Sequence, residues 1–530
     1  MPRMSRYSEY SSLAVRVVRA GMLITTLLPA GCHGLFGGRS PRALVSPLSP
    51  QMVHERLLTG AAAQQDMSSA GDRRVPGAAE ESADPEEKPL PAPRLFVQPD
   101  PPGESSALPS PAGLLTLPEA IAEALDRNPR LRVAQEQTAA ARAGEDVAFA
   151  PFLPQVDFSD HYAGFNVPVL PAAGFVPAGL NRGTEEFNLV ELGLQWTLLD
   201  FGRTAGRYGQ AVTQTEIAEL RLARARQTVA YEVAAGYFQL LLTQASRRVR
   251  EQALQQSQAI LKDTRTRFAN GVVDRDAVLR AEVENSENLE AIIIVQERVL
   301  DAEARLNLAM GRGISLPVQV VEVSVETPFH LTLQDSLEQA VEQRLEIGIA
   351  QKTIAEAQYG EQAAHGEFMP KLYVRGSVIR ADGQNLNATV MGAGIHLDQS
   401  LYGGGRRLGD KRRSEALVRS ALAGSQVILD NIALEVNIAY RAIAATRNRI
   451  RVAETAVAQA RENLRLINVK YQNGDATPTD IVDAQTALTR AQMRYFSSLY
   501  EYLTSLARLD YATGGDQSRL VERVARAEVP

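Results

Sequence analysis

Apolar and polar positions alternate with a period of two through Val190, Leu192, Leu194, Trp196 and Leu198 against Glu191, Gly193, Gln195 and Thr197. The pattern returns at Met391, Ala393, Ile395 and Leu397 against Gly392, Gly394, His396 and Asp398. A strand with one face in an apolar medium and the other in water reads this way. Partner strands are expected over residues 156–165 and 371–380, so the chain should supply four strands. The remaining patterned sequence has a helical period. Amphipathic stretches over 117–150 and 333–366 each end at a Phe-x-Pro stop, Phe152-Leu153-Pro154 and Phe368-Met369-Pro370. Runs over 203–268 and 406–471 contain no proline and few glycines after their first turns. At about 1.5 Å rise per residue, a helix of that length would reach on the order of 100 Å. In the later run, Val436, Ala439, Ile443, Ile450, Ala453, Val457, Ala460, Leu464, Ile467 and Tyr471 recur in steps of three and four, with only Thr446 interrupting. That heptad seam predicts a helix packed along its length against a neighbour. In the earlier run Arg247 and Arg250 fall where the seam would pass, so it is weaker.

These elements occur twice in the same order. Leu117 and Leu333 are 216 residues apart, as are Pro154 and Pro370. Leu199-Asp200-Phe201-Gly202-Arg203 answers Leu401-Tyr402-Gly403-Gly404-Gly405-Arg406, and Arg267-Phe268-Ala269-Asn270-Gly271 answers Lys470-Tyr471-Gln472-Asn473-Gly474. A long unit that returns in register is a structural duplication. Each long run closes at an Asn-Gly pair tolerant of positive φ. Asp274 and Thr477 then stand where they can accept from the free amides of a return helix, and Pro478 fits its first turn. Each half therefore reads as a helical hairpin with a tight tip, its return arm over 275–310 or 478–511.

Charge and composition narrow the class. Lys plus Arg number 56 against 62 Asp plus Glu, a net charge of −6, so no basic surplus points to nucleic acid. Arg3, Arg6, Arg16 and Arg19 precede an uncharged stretch, 20–31, too short to span a bilayer and shaped like a signal-peptide core. It ends Leu28-Pro29-Ala30-Gly31-Cys32, which resembles a bacterial lipoprotein signal that would leave a lipid on Cys32, with a departure at Pro29; ordinary cleavage near Ala30, leaving a free thiol, is the alternative. Cys32 is the one cysteine, so intrachain disulfides and cysteine zinc sites are excluded. Residues 32–113 are rich in Pro, Gly, Ser and acidic residues and read as a flexible tether. The expected organisation is a leader (1–31), the tether (32–113), two repeats (114–313 and 314–514) and a C-terminal tail (515–530).

An exported chain with amphipathic strands and no spanning apolar helix suggests a membrane β-barrel. Four strands cannot close a useful barrel alone, so chains must pool them. The duplicated order, the Phe-x-Pro entries, the strand exits and the aromatic-x-Asn-Gly tips resemble the TolC-like outer-membrane efflux proteins, over residues 114–514. The resemblance implies a mainly α, internally duplicated fold with membrane β: a homotrimer pooling twelve strands in the outer membrane and continuing as an α-helical barrel in the periplasm. It also implies an exit duct for tripartite efflux or type I secretion, joined by a periplasmic adaptor (a membrane fusion protein) to an inner-membrane transporter of RND or ABC type. Its surroundings would be outer-membrane lipid. No cofactor is implied beyond the lipid on Cys32.

By the same resemblance, Asp480 and Asp483 ring a periplasmic gate, three residues apart on one helix face. Asp480 also sits three after Thr477 and could serve only as a capping-box residue. Tyr471 packs at the tip, with hydrogen bonding in the gate as its sharper role. Asn270, Gly271, Val272, Asn473, Gly474 and Asp475 meet the adaptor, or act only as turn formers. His161 and His396 fall in strands without metal-like spacing and read as solvated or lumen-lining. Gly403-Gly404-Gly405 lacks the lysine and hydroxyl of a phosphate loop and reads as a strand-to-helix junction. No pattern supports an enzyme. The rival reading is an exported coiled-coil envelope scaffold without a pore, for which amphipathic strands would have no use.

Overall fold

The computed structural model describes residues 114–166, 184–323, 331–383 and 387–527; the leader, Cys32 and the tether lie outside them. Its elements are α1 (Leu117–Arg127), α2 (Pro129–Phe149), β1 (Gln155–Asn166), β2 (Thr184–Leu199), α3 (Arg203–Ala269) and α4 (Arg275–Met310). The second repeat gives α5 (Leu333–Gln343), α6 (Leu345–Gly366), β3 (Lys371–Gly383), β4 (Asn387–Asp398), α7 (Arg406–Asn473) and α8 (Pro478–Ala512), followed by α9 (Ser518–Ala527).

Two stretches expected as single helices are each divided. Pro129 disfavours α geometry for the residue before it, and Asn128 accordingly takes ψ 121° and accepts from the Arg130 amide at 2.8 Å. Arg344 makes the same break in the second repeat, at ψ 116°, without a following proline. Both repeats also close their return helices alike. Gly311 (φ 75°) and Gly514 (φ 89°) sit where a Cβ would lie 2.8 Å from the Arg127 carbonyl oxygen and 2.6 Å from that of Gln343. Only glycine fits that approach and that backbone conformation.

Residues 152–206 and 361–411 form one compact unit, whose described part is built on a four-stranded antiparallel sheet in the order β1-β2-β3-β4. Over the rows from Trp196 to Leu192 the register sorts side chains by medium, whereas the next row on the same face, Asp160, Val190, Arg380 and Thr389, is mostly polar. Val156, Leu194, Gly376 and Ala393 form one row, Phe158, Leu192, Val378 and Met391 the next, and Trp196, Val374 and Ile395 another, all on one face. The opposite face carries Asp157, Gly193, Ser377 and Gly392, then Gln195, Arg375 and Gly394, then Thr197, Tyr373 and His396. The apolar face is bare within the chain: Phe158 is 70% exposed, Met391 76% and Ile395 72%. His161 and His396 are exposed, and His396 stacks on Tyr373 at 5.1 Å. No helix among the described residues is long and apolar enough to cross a membrane.

The second unit comprises residues 48–151, 207–360 and 412–530, and its described part is helical. Its core gathers residues of both repeats: Leu117 and Ala124 of α1, Tyr237, Phe238 and Leu240 of α3, Leu306 and Met310 of α4, Ile432 and Val436 of α7, and Tyr500 and Leu503 of α8. Tyr237 ties this core to the chain entry, its hydroxyl donating to the Leu115 carbonyl at 3.0 Å and the Val321 carbonyl at 2.7 Å. The α7 seam runs as its heptads require, and even Thr446 is buried, its hydroxyl donating to the Ala442 carbonyl at 2.7 Å. The α3 seam follows a different line from the expected one, through Ala245, Val249, Ala253, Ser257 and Thr264, which leaves Arg247 exposed beside it. The segment 515–527, expected as tail, turns back into α9, and Leu520 is buried.

Candidate functional site

The tips of the two hairpins begin from the same backbone chemistry. At the first, the Gly271 amide donates to the Phe268 carbonyl at 2.9 Å and the Val272 amide to the Arg267 carbonyl at 2.9 Å. At the second, Gly474 donates to Tyr471 at 3.2 Å and Asp475 to Lys470 at 2.8 Å. Both glycines take positive φ, 71° and 83°, so each long helix ends in a Schellman-type turn. Asn270, Gly271, Val272, Asn473, Gly474 and Asp475 are exposed.

The side chains break this symmetry. Phe268 and Tyr471 occupy matching positions, yet Phe268 is 43% exposed and Tyr471 only 7%. Tyr471 reaches from α7 to α3, where its hydroxyl donates to Asp263 Oδ2 at 2.6 Å. Arg267 Nε donates to the same carboxylate oxygen at 2.9 Å, and the guanidinium carbon stands 3.9 Å above the centroid of the tyrosine ring. The unit thus joins a charge-assisted hydrogen bond, an ion pair and a cation–π contact across the two hairpins. Burial and the neighbouring Asp263 carboxylate push the Tyr471 hydroxyl up to about 12. A raised pKa favours the neutral donor, so this contact persists at every physiological pH and is lost only as pH rises towards that value.

Asp480 takes the capping role. Its carboxylate accepts from the Thr477 amide at 2.8 Å and the Thr477 hydroxyl at 2.7 Å, while the Asp480 amide donates back to Thr477 Oγ1 at 3.3 Å. These bonds hold the Asp480 carboxyl below the usual carboxylate range. The stabilisation they give is therefore full above the ordinary aspartate pKa of about 4 and is lost as pH falls through the depressed value. Thr477→Ala should cost about 1 kcal/mol and fray the start of α8, measurable as faster amide exchange over its first turn. Asp483, one turn further on, is exposed. Asp274 occupies the corresponding N-cap of α4 but makes no side-chain cap bond, contrary to expectation.

The sequence reading missed Asp263 and Arg267. The available signal was their four-residue spacing just before the first tip, which on a helix aligns an aspartate with an arginine. No cluster of metal-ligating side chains occurs among the described residues.

Residues 120–312 and 336–515 match the family model described as outer membrane efflux protein. The outer membrane efflux protein BepC of Brucella suis is 22% identical over 405 residues, covering 75% of this chain and 85% of that protein. The crystal structure of the Campylobacter jejuni CmeC outer membrane channel superposes with a TM-score of 0.69 at 16% identity, over 78% of this chain and 90% of that one. The outer membrane protein VceC of Vibrio cholerae does so with a TM-score of 0.65 at 21% identity, over 75% and 96%.

Proposed function

We propose a trimeric exit duct, proceeding from the premise that the chain belongs to the outer membrane efflux protein family, with each repeat matched in turn. The protein is an outer-membrane efflux channel that extends into the periplasm, and its family consists of channel proteins rather than enzymes.

One observation carries the finer reading: the sheet has a bare apolar face, a polar opposite face and two open edges, β1 and β4. Unpaired backbone groups at a sheet edge are costly in lipid, so the edges must meet strands of further copies. Three chains of four strands give twelve, a number that closes a barrel with a water-filled lumen. The apolar rows then face lipid and the row of Thr197, Tyr373 and His396 faces the lumen. The helical hairpins continue the duct inward, and their tips form its entrance and meet a periplasmic adaptor through Asn270, Gly271, Val272, Asn473, Gly474 and Asp475. An inner-membrane transporter of RND or ABC type supplies energy and cargo, since no nucleotide-binding pattern occurs in this chain. The leader (1–31) directs export, the lipid on Cys32 anchors the tether (32–113), and the repeats extend over 114–313 and 314–514.

In this reading Tyr471 fastens the entrance, while Asp480 and Asp483, repeated three times around one axis, line it with carboxylates. Planar-bilayer recording tests both levels. Purified protein should give discrete conductance steps, blocked by divalent cations from the entrance side; silence under all ionic conditions would favour the pore-free scaffold. Asp483→Ala should weaken the block about tenfold, whereas unchanged block would remove Asp483 from the entrance.

A further inference from the structure

Above the Tyr471–Asp263 contact, the two hairpins do not pack as a dry seam. The buried positions there are short and polar: Ser257 on α3, Asn288 on α4, and Gln485 and Thr489 on α8. They surround a cavity of about 320 Å³, whose lining also includes Arg250, Glu284, Thr486 and Arg490. Apolar wall is confined to Ala253, Ile260, Val482 and Met493.

The polar groups of this cavity are unevenly satisfied. Asn288 Nδ2 is committed to Glu284, at 3.0 Å to its carbonyl and 2.8 Å to its carboxylate, and Thr486 approaches the same carboxylate at 3.5 Å. Gln485 is nine-tenths buried, yet its Nε2 finds only Thr489 Oγ1 at 3.5 Å, the limit of a hydrogen bond. Buried amides ordinarily have a well-placed partner. Arg250, half-buried, and Arg490, exposed, both line the cavity, and neither is ion-paired among the described residues. Two guanidiniums against one carboxylate leave the cavity with a net positive charge and an excess of donors.

We propose that this cavity binds a small organic polycarboxylate, which bridges Arg250 on α3 and Arg490 on α8 and so holds the two hairpins together. Each guanidinium fork matches one carboxylate bidentately. A monovalent ion would pair with one arginine at a time, whereas two linked carboxylates can engage both, and the second lone pair of one oxygen can still accept from the Gln485 amide. Because the ligand spans the same pair of hairpins as Tyr471 and Asp263, its binding favours the fastened tip. This last consequence rests on the tip being the duct entrance; the binding itself does not.

Citrate serves as the probe, titrated calorimetrically into the purified full-length protein in divalent-free buffer at about 0.1 M salt, with acetate at equal ionic strength as reference. Saturable binding of one citrate per chain is expected, weakened at least tenfold by Arg250→Ala or by Arg490→Ala and partly retained in Arg490→Lys. Arg490 is exposed, so its replacement does not threaten the fold. In divalent-free bilayers, citrate should lower the open fraction several-fold in the parent and leave Arg490→Ala unaffected. Heats equal to those of acetate, binding indifferent to both arginines, or binding of inorganic phosphate in place of citrate would each overturn the site. Citrate binding to a protein that never conducts would leave the site standing and sink the duct; binding without any change in open fraction would sink only the coupling.

Discussion

Asp263→Ala is expected to raise the open fraction of the purified channel by roughly five- to thirtyfold, and Tyr471→Phe by less. The difference follows from what each change leaves behind. Phenylalanine removes one hydroxyl and keeps the ring under Arg267, so the 2.6 Å bond to Asp263 is lost while the cation–π contact stays. A hydrogen bond of this kind is worth about 1 kcal/mol net. Alanine at 263 instead removes the acceptor shared by Tyr471 and Arg267, depriving a tyrosine that is 7% exposed of its carboxylate partner and leaving the guanidinium uncompensated. Leaving a buried donor unsatisfied costs about 1–3 kcal/mol, and one or two kcal/mol shifts a two-state ratio by about five- to thirtyfold. The double variant should fall short of the sum of the singles by about 1 kcal/mol, since both act on one contact. Open fraction in planar bilayers measures all three. The parent's response should be flat between pH 6 and 9, because the Tyr471 hydroxyl is held up to about 12. A steep rise in opening between pH 8 and 10 would mean that an ordinary phenol holds the tip.

Much of this arrangement is legible in the chain because membrane and coiled-coil environments impose simple periods. The alternation at Leu192, Leu194 and Trp196 matches the register row by row, since a one-residue slip would turn every apolar side chain to the wrong face, whereas Val190 falls in a row with Asp160, Arg380 and Thr389. The α7 seam likewise predicted burial of Val436, Ala439, Ile443 and Tyr471. What escaped depends on tertiary choices that a period does not encode. Seam residues of α3 such as Ser257 and Thr264 are polar, so a hydrophobic pattern passes over them. The breaks at Asn128 and Arg344 leave amphipathicity intact on both sides and are visible only in the backbone. At the tips, Phe268 and Tyr471 are equivalent aromatic residues in sequence. Asp263 and Arg267, however, precede only the first tip; their counterparts before the second are Leu466 and Lys470. The duplication thus builds two similar hairpins, and divergence at a few positions makes one hairpin the receptor of the other's tyrosine.

The same divergence predicts unequal costs at the two helix breaks. Asn128 and Arg344 occupy equivalent places, and each donates to the end of its own return helix: Asn128 Nδ2 to the Ala309 carbonyl at 2.7 Å, Arg344 Nη1 to the Ala512 carbonyl at 3.2 Å. Only Arg344 carries charge. Its side chain is 4% exposed and meets Glu346 at 3.0 Å and Glu435 at 2.9 Å, while Arg224 holds the other oxygen of Glu346 at 2.7 Å and lies 3.7 Å from the centroid of the Tyr511 ring. Burial and the adjacent Arg344 pull the Arg224 pKa down, but a guanidinium stays charged in proteins, so the cluster remains two cations against two anions. Removing one member of a buried pair costs about 3–5 kcal/mol, because its partners keep their desolvation without their counter-charge. Glu435 is 46% exposed and recovers water, which places Arg344→Ala near the lower end of that range. Asn128→Ala forfeits a neutral bond and its cap, about 1–2 kcal/mol. Denaturant unfolding of the solubilised protein, followed by helical circular dichroism, should therefore rank Arg344→Ala as clearly the more damaging. Arg344→Met should recover much of the loss, because Glu346 keeps Arg224 as its counter-charge, Glu435 recovers water and methionine fills most of the vacated volume. Equal midpoints for Asn128→Ala and Arg344→Ala would show that the clasp geometry, common to both repeats through Gly311 and Gly514, carries the stability and the charges add nothing.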